Sequence, residues 1–341
     1  MTAPSPELTI DARATASGVT PFSSVAGVPL VARHVRQAAR AGRGNVLVVV
    51  ADEAGRAAAL RALHERPAPI LVDVAIGAPP AGVEVIPALS VVGPGFVTPI
   101  QTEEDLATAE RKLYAALRKS VDLDGFVAYH LLRPLARGLT RVLIGTRVTP
   151  NQVTLAALAL GLIAAAAAAA GQFALAGLLY WAGGLVDCVD GEIARLRLEG
   201  SRAGEWLDSL ADEAATFALM AGVGAALGGP FAALAVVGVV SGAASVGKLY
   251  SDLHRLGLPI DTAQYPWFFA RSGKRETFLA RAVYAASFLF KRDAYTTLVS
   301  LGLVAGVPRV AFLLLFGGIE LITVLLLVHL AVTHEAPRSS G

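Results

Sequence analysis

The stretch "DCVDGEIARLRLEGSRAGEWLDSLAD", residues 187–212, carries two aspartates at each end and runs at both ends into apolar sequence. Upstream lie apolar runs at 151–170 and 173–189, separated by Gly171-Gln172. Downstream lie 206–227 and 231–248, separated by "GGP" at 228–230. Runs of this kind approach the ~20 residues that cross a bilayer. Two further runs follow, a short one at 295–305 that could begin nearer Asp293, and a long one at 308–332. The sequence therefore predicts an all-α polytopic membrane domain of six transmembrane helices, with the quoted stretch joining the second span to the third. Carboxylates beside a bilayer are costly unless something compensates them, so their chemistry needs a reason.

Composition supports this division. Of 341 residues, 55% are hydrophobic and only 16% charged, against about a quarter charged in an ordinary soluble domain. Residues 1–149 mix polar and apolar sequence, and the apolar excess lies beyond them. The expected domains are 1–120 (a small N-terminal α/β domain), 121–335 (the membrane domain) and 336–341 (a tail). The formal charge of +2 and the lack of interleaved basic and aromatic residues argue against nucleic acid. A single cysteine, Cys188, excludes an intrachain disulfide and a Cys-based zinc site. The first residues lack a basic stretch followed by an apolar one, so no cleavable signal peptide is expected.

Within the N-terminal part, apolar spacing predicts helices over 27–42 and 54–67, and a charged amphipathic helix over 101–120 with Thr102 as its cap. The β-branched run "NVLVVVAD" at 45–52 reads as a buried strand, and 69–77 and 82–93 as further strands. Alternating strands and helices suggest a parallel sheet. No glycine-rich phosphate loop follows a strand. Between 124 and 150, Arg133, Arg137 and Arg141 recur every four residues among apolar neighbours, the pattern of a helix lying in the membrane interface.

Charge gives orientation. The turns at 171–172 and 228–230 have no basic residue and 306–309 has only Arg309, whereas 195–202 carries Arg195, Arg197 and Arg202, and 248–292 is rich in Lys and Arg. The positive-inside rule then places both termini and the 187–212 stretch on the cytoplasmic side of the cell (inner) membrane.

Asp187 and Asp190 are three apart and Asp208 and Asp212 four apart, so each pair shares one helix face. Antiparallel packing of the two helices would gather four carboxylates, which repel unless cations lie among them. Oxygen-only ligation suits Mg²⁺, Mn²⁺ or Ca²⁺. Gly191, Ala194 and Gly204 leave room for a ligand near the backbone, and Arg195 offers a fork suited to phosphate. Two such cations could hold a diphosphate. Ordinary surface carboxylates at helix ends are the bland alternative.

Asp187, Asp190, Gly191, Ala194, Arg195, Gly204, Asp208 and Asp212, at these spacings, resemble the signature of the CDP-alcohol phosphotransferase family, every fixed position present. The resemblance covers roughly 124–335. It implies transfer of a substituted phosphoryl group from a CDP-alcohol donor to an alcohol acceptor, with release of CMP. By position, Asp187, Asp190 and Asp208 would be metal ligands for Mg²⁺ or Mn²⁺, as two ions in that family's manner, and Asp212 the general base, itself touching a metal. Gly191, Ala194, Arg195 and Gly204 would shape the CDP pocket. "TPNQVT" at 149–154 resembles the family's first-span entry, which makes Asn151 and Thr154 candidate nucleotide contacts. Capping of the first span is the other role open to Asn151. The family also implies a homodimer.

The N-terminal part resembles a truncated nucleotidyltransferase-like domain, in an order similar to bifunctional inositol-phosphate cytidylyltransferase/di-myo-inositol-phosphate-phosphate synthases. Its missing glycine-rich loop and small size read as degeneration. That fusion favours a phosphorylated polyol such as inositol phosphate as acceptor, with a phospholipid synthase using CDP-diacylglycerol as the rival. Lys248, Arg271, Lys274 and Arg275 are candidate acceptor contacts, although orientation and lipid headgroups alone would account for basic residues over 248–292. A cation transporter would place acids nearer the bilayer midplane. A catalytically inactive membrane scaffold is the remaining alternative.

Overall fold

The computed structural model describes residues 6–117, 125–260, 265–267 and 292–334. They form two compact units. The first combines residues 6–117 with Thr140–Val148 and Glu192–Glu199; the second holds 125–139, Thr149–Gly191 and the described residues from 200 onward.

In the first unit the principal sheet contains β1 (Leu8–Asp11), β4 (Asn45–Val50), β5 (Leu71–Ile76) and β6 (Val85–Pro87), in the order β5-β4-β1-β6. All three pairings are parallel, with Ile10 opposite Val48 and Ile86, and Val48 opposite Val74. β4 is buried at five of its six positions, which explains a continuous β-branched run in place of an alternating one. Val31 and Val35 of α1 (Leu30–Arg40) and Ala59 of α2 (Glu53–Glu65) join this sheet in one core. The Asp52 carboxylate caps α2 by accepting from Gly55 N at 2.8 Å. Helix α3 (Glu103–Ala116) begins with a capping box between Thr102 and Asp105, as Thr102 predicts.

Two expectations change. The first strand lies at Leu8–Asp11, upstream of every strand and helix expected from the sequence, and occupies the sheet interior. Four residues among Pro, Ser and Thr are too few to show periodicity. The supposed strand over 82–93 is two strands. β6 ends at Pro87, and β7 (Ser90–Gly93) leaves to pair antiparallel with β8 (Phe96–Pro99). The Pro94-Gly95 turn between them, with Gly95 at φ 76°, explains the hairpin. A short antiparallel pair, β2 (Ser24–Val25) with β3 (Val28–Pro29), precedes α1.

Buried arginines hold the segments 140–148 and 192–199 within this unit. Arg197, fully buried, donates to Leu143 O at 2.8 Å, Ile144 O at 2.7 Å and Thr146 O at 2.8 Å. Arg33 donates to Val25 O and Leu196 O, at 3.0 and 2.7 Å. Arg36 reaches Arg197 O at 2.6 Å and Glu199 Oε1 at 3.1 Å. Apart from Val25 in β2, the accepting carbonyls lie at or just beyond the ends of helices, which leave such groups without intrahelical partners. Burial, with the charge on Arg36, pulls Arg33 down to about 10, leaving it charged at neutral pH.

The second unit is helical. A π-helical turn, Ala128–Leu132, leads into α4 (Arg133–Leu143). Then come α5 (Pro150–Ala169), α6 (Phe173–Leu196), α7 (Arg202–Leu227), α8 (Gly229–Arg255), α9 (Arg292–Val304) and α10 (Pro308–His334). Five of these, α5 to α8 and α10, are long and apolar enough to cross a bilayer, so this is a multi-pass membrane protein. The expected fifth span corresponds to α9, whose 13 described residues fall short of that length. Leu219, Met220, Val223, Phe312 and Leu315 lie in the buried core, whereas Val236, Val240 and Leu313 are exposed, as suits helices solvated by lipid.

Small residues set the α5–α7 contact. A Cβ built on Gly222 would lie 2.3 Å from Ala165 O, and one on Gly161 would lie 2.5 Å from the Ala215 Cβ. Helices can approach this closely only where side chains are minimal. Between 125 and 143 the large apolar residues Phe126, Leu131, Leu135 and Val142 are exposed, as are His130 and Arg141. Arg133 is half-buried and donates to Cys188 O at 3.1 Å. Arg133 thus faces protein, whereas Arg141 of the same predicted face is exposed.

Candidate active site

Asp187 and Asp190 lie on α6, and Asp208 and Asp212 on α7. The Ser201 hydroxyl caps α7 by accepting from Gly204 N at 3.0 Å. Asp187, Asp208 and Asp212 each present a carboxylate oxygen, all within 4.8 Å of one another. Each is half-buried, so the oxygens converge while a ligand can still reach them. Carboxylates alone, at this separation, form the donor set a hard divalent cation takes. The residues fit such an ion.

Asp190 has a different environment. It is buried, and its Oδ2 accepts from the Thr154 hydroxyl at 2.5 Å. Thr154 sits one turn into α5, which opens with Pro150 at its first position and Thr149 as cap. The Thr149 hydroxyl accepts from Gln152 N, and Gln152 Oε1 accepts from Thr149 N at 2.9 Å. A residue before proline is driven to extended backbone, the conformation a cap needs, and Thr149 has φ −85° and ψ 157°. Asn151 is therefore not the cap. It is exposed, and a Cβ built on Gly204 would stand 3.3 Å from its Oδ1, which brings these two predicted nucleotide contacts together. Gly191, Ala194 and Arg195 continue along α6, all half-buried.

A cavity of about 280 Å³ adjoins the carboxylates, lined by Asp187 and Asp212 together with Arg133, Tyr180, Trp181 and Asp293. Tyr180 OH and Thr216 Oγ1 are 3.0 Å apart. Sequence reasoning assigned no role to Tyr180, Trp181 or Asp293. The one available signal was an aspartate at the threshold of an apolar segment, and such residues are uncommon without a function.

Of the predicted acceptor contacts, Lys248 is exposed on α8 and pairs with Asp252, whose Oδ2 also accepts from Tyr265 OH at 3.1 Å. Arg271, Lys274 and Arg275 lie outside the described residues.

Residues 147–333 match the CDP-alcohol phosphatidyltransferase family. The chain belongs to that family. Among curated relatives, the bifunctional IPC transferase and DIPP synthase of Thermococcus kodakarensis is 36% identical over 115 residues, covering 34% of this chain and 26% of that protein. The protein of the same description from Rubrobacter xylanophilus is 34% identical over 175 residues, covering 48% and 40%. The chain thus matches less than half the length of either relative. A crystal structure of Mycobacterium tuberculosis phosphatidylinositol phosphate synthase with CDP-DAG bound is 21% identical, covers 62% of this chain and 97% of its own, and has a TM-score of 0.41. The matched CDP-alcohol phosphatidyltransferase region contains all four aspartates.

Proposed function

We propose that this protein transfers a substituted phosphoryl group from a CDP-alcohol to the hydroxyl of an acceptor alcohol. The observation that carries the reading is the convergence of Asp187, Asp208 and Asp212 from two helices, within a chain of this family. The acceptor oxygen forms a bond to the β-phosphorus, the bond from that phosphorus to the bridging oxygen breaks, and CMP leaves with the electron pair. Asp212 takes the acceptor proton, a contribution of about 10²–10⁴-fold for a positioned base. Asp187, Asp190 and Asp208, with Asp212, would hold Mg²⁺ or Mn²⁺, as two ions. Bound there, a divalent cation would neutralise the diphosphate and stabilise the charge that develops on the leaving oxygen. Asn151, Gly191, Ala194, Arg195 and Gly204 border the CDP moiety. Thr154 orients Asp190 through its hydroxyl.

The preferred acceptor is a phosphorylated polyol such as inositol phosphate, held in part by Lys248, Arg271, Lys274 and Arg275. The similarity to bifunctional IPC transferases and DIPP synthases supports this choice. A CDP-diacylglycerol-using phospholipid synthase is the second reading. With residues 1–120 as a degenerate nucleotidyltransferase-like domain and 121–335 as the catalytic one, α9 completes six spans. The charge pattern favours an inner-membrane enzyme with both termini and the site cytoplasmic, and the family resemblance implies a homodimer.

The test is incubation of purified protein with Mg²⁺ and a panel of CDP-alcohols and acceptors, reading CMP release and product mass. EDTA should abolish turnover and Mg²⁺ restore it, and Asp212→Asn should lose at least ~100-fold. Undiminished turnover in Asp212→Asn would remove Asp212 as the base, and absence of CMP release from every donor would favour the scaffold.

A further inference from the structure

Asp293 stands in the first turn of α9 and lines the same cavity as Asp187 and Asp212. It is 9% exposed. Its Oδ2 accepts from Ala128 N at 2.8 Å, at the start of the π-helical turn. Its Oδ1 is buried and has no hydrogen-bond partner among the described residues. Gly125 leaves the space this carboxylate occupies, because a Cβ there would lie 2.2 Å from Oδ1.

Capping the turn explains one oxygen only. An amide or hydroxyl oxygen could accept the Ala128 N–H equally well, and a second carboxylate oxygen buried without a partner is costly. That cost is relieved if a ligand occupying the cavity brings a donor. The lining narrows what the donor can be. Asp293 is the lining acid outside the carboxylate cluster, and its unpartnered oxygen would repel a second phosphate. An acyl chain would strip water from Asp293 without replacing its hydrogen bonds. Neutral hydroxyl groups meet neither objection. Thr296, one turn beyond Asp293, and Trp181 add polar edges to the same wall, and about 280 Å³ lies at the small end of ligand-pocket volumes.

We propose that Asp293 is a specificity-determining residue that accepts a hydrogen bond from a ring hydroxyl of a polyol, carried either by the CDP-linked donor or by the acceptor. Placing that polyol on one of the two substrates rests on the transferase reading above. The recognition of hydroxyls by Asp293 is measured without turnover.

The test titrates the full chain in lipid nanodiscs with CDP-inositol, with its hydroxyl-free analogue CDP-cyclohexanol and with inositol 1-phosphate, by calorimetry in Mg²⁺. Asp293→Asn keeps an oxygen for Ala128 N–H and removes the second anionic acceptor. If the donor carries the polyol, the wild type prefers CDP-inositol over CDP-cyclohexanol at least fivefold, and Asp293→Asn loses that preference. If the acceptor carries it, Asp293→Asn weakens inositol 1-phosphate at least fivefold. Less than a fivefold change with both ligands means that Asp293 serves as a helix cap or holds only water, and overturns the proposal. Should Asp293→Asn not fold, the wild-type titrations decide: a preference for CDP-inositol below fivefold together with no binding of inositol 1-phosphate overturns it. CMP release is read separately, so a protein that recognises the polyol without transferring it would refute the transferase reading and leave this one standing.

Discussion

At the scale of single residues, the four aspartates separate into two kinds. Asp187, Asp208 and Asp212 converge half-buried, whereas Asp190 is buried against the Thr154 hydroxyl. A hydroxyl held on a ligating carboxylate fixes which oxygen lone pairs remain for a cation, and losing such support typically costs about 10–100-fold in metal affinity or activity. Thr154→Val should therefore raise the Mn²⁺ concentration needed for half-maximal CMP release by roughly that factor, while Thr154→Ser stays near wild type. Equal activation curves for Thr154→Val and wild type would show that Asp190 needs no such support. The bond from Thr154 to a carboxylate was not legible in "TPNQVT". Its partner lies 36 residues away, and nothing local announces it.

At the scale of elements, two kinds of contact hold the helices in register. The first is close packing of small residues between α5 and α7. Adding a methyl at Gly222 would force it against the Ala165 carbonyl, and backbone cannot rotate away as a side chain can. Gly222→Ala should destabilise the protein by about 1–3 kcal/mol, seen as a lower melting temperature in detergent; Gly247→Ala, where a Cβ meets nothing within 4 Å, is the control that should melt like wild type. The second is the capping of helix ends by guanidinium groups. Arg197→Met would leave the Leu143, Ile144 and Thr146 carbonyls without their buried donor, at a cost of about 3 kcal/mol. Faster amide exchange across 143–148 would report it, and unchanged protection would show that water substitutes for the guanidinium. Helix identities and ends were mostly readable, because caps and apolar runs are local. The division of 82–93 into two strands was not, since Pro87 permits either outcome until β8 supplies a partner.

At the scale of the whole molecule, stability should depend on pH through the first unit. Burial, aided by the charge on Arg33, holds His34 below its ordinary value of 6.5, and its Nε2 lies 2.9 Å from Ser90 O. Unfolding exposes an imidazole that binds a proton more readily than the folded one. Stability is thus intact above pH 6.5 and falls as pH drops below that value. Slower amide exchange in β4 at pH 7.5 than at pH 5, corrected for intrinsic rates, is expected, and His34→Gln should reduce the difference. A pH-independent protection in the wild type would rule out His34 as the titrating group.

By itself the sequence determined the membrane-spanning character, the α/β character of the first unit and the set of four aspartates paired on two helix faces. Each of these is a local property: hydropathy over one span, β-branched runs along one strand, and side chains three or four apart on one helix. Tertiary structure alone decided which three carboxylates converge and that β1 lies inside the sheet. It also decided that Asp293 reaches Ala128 across 165 residues to line the cavity beside them. Those facts depend on the packing of distant segments, where the partner of a residue is chosen by shape and unsatisfied hydrogen bonds and leaves no mark on the residues next to it in the chain.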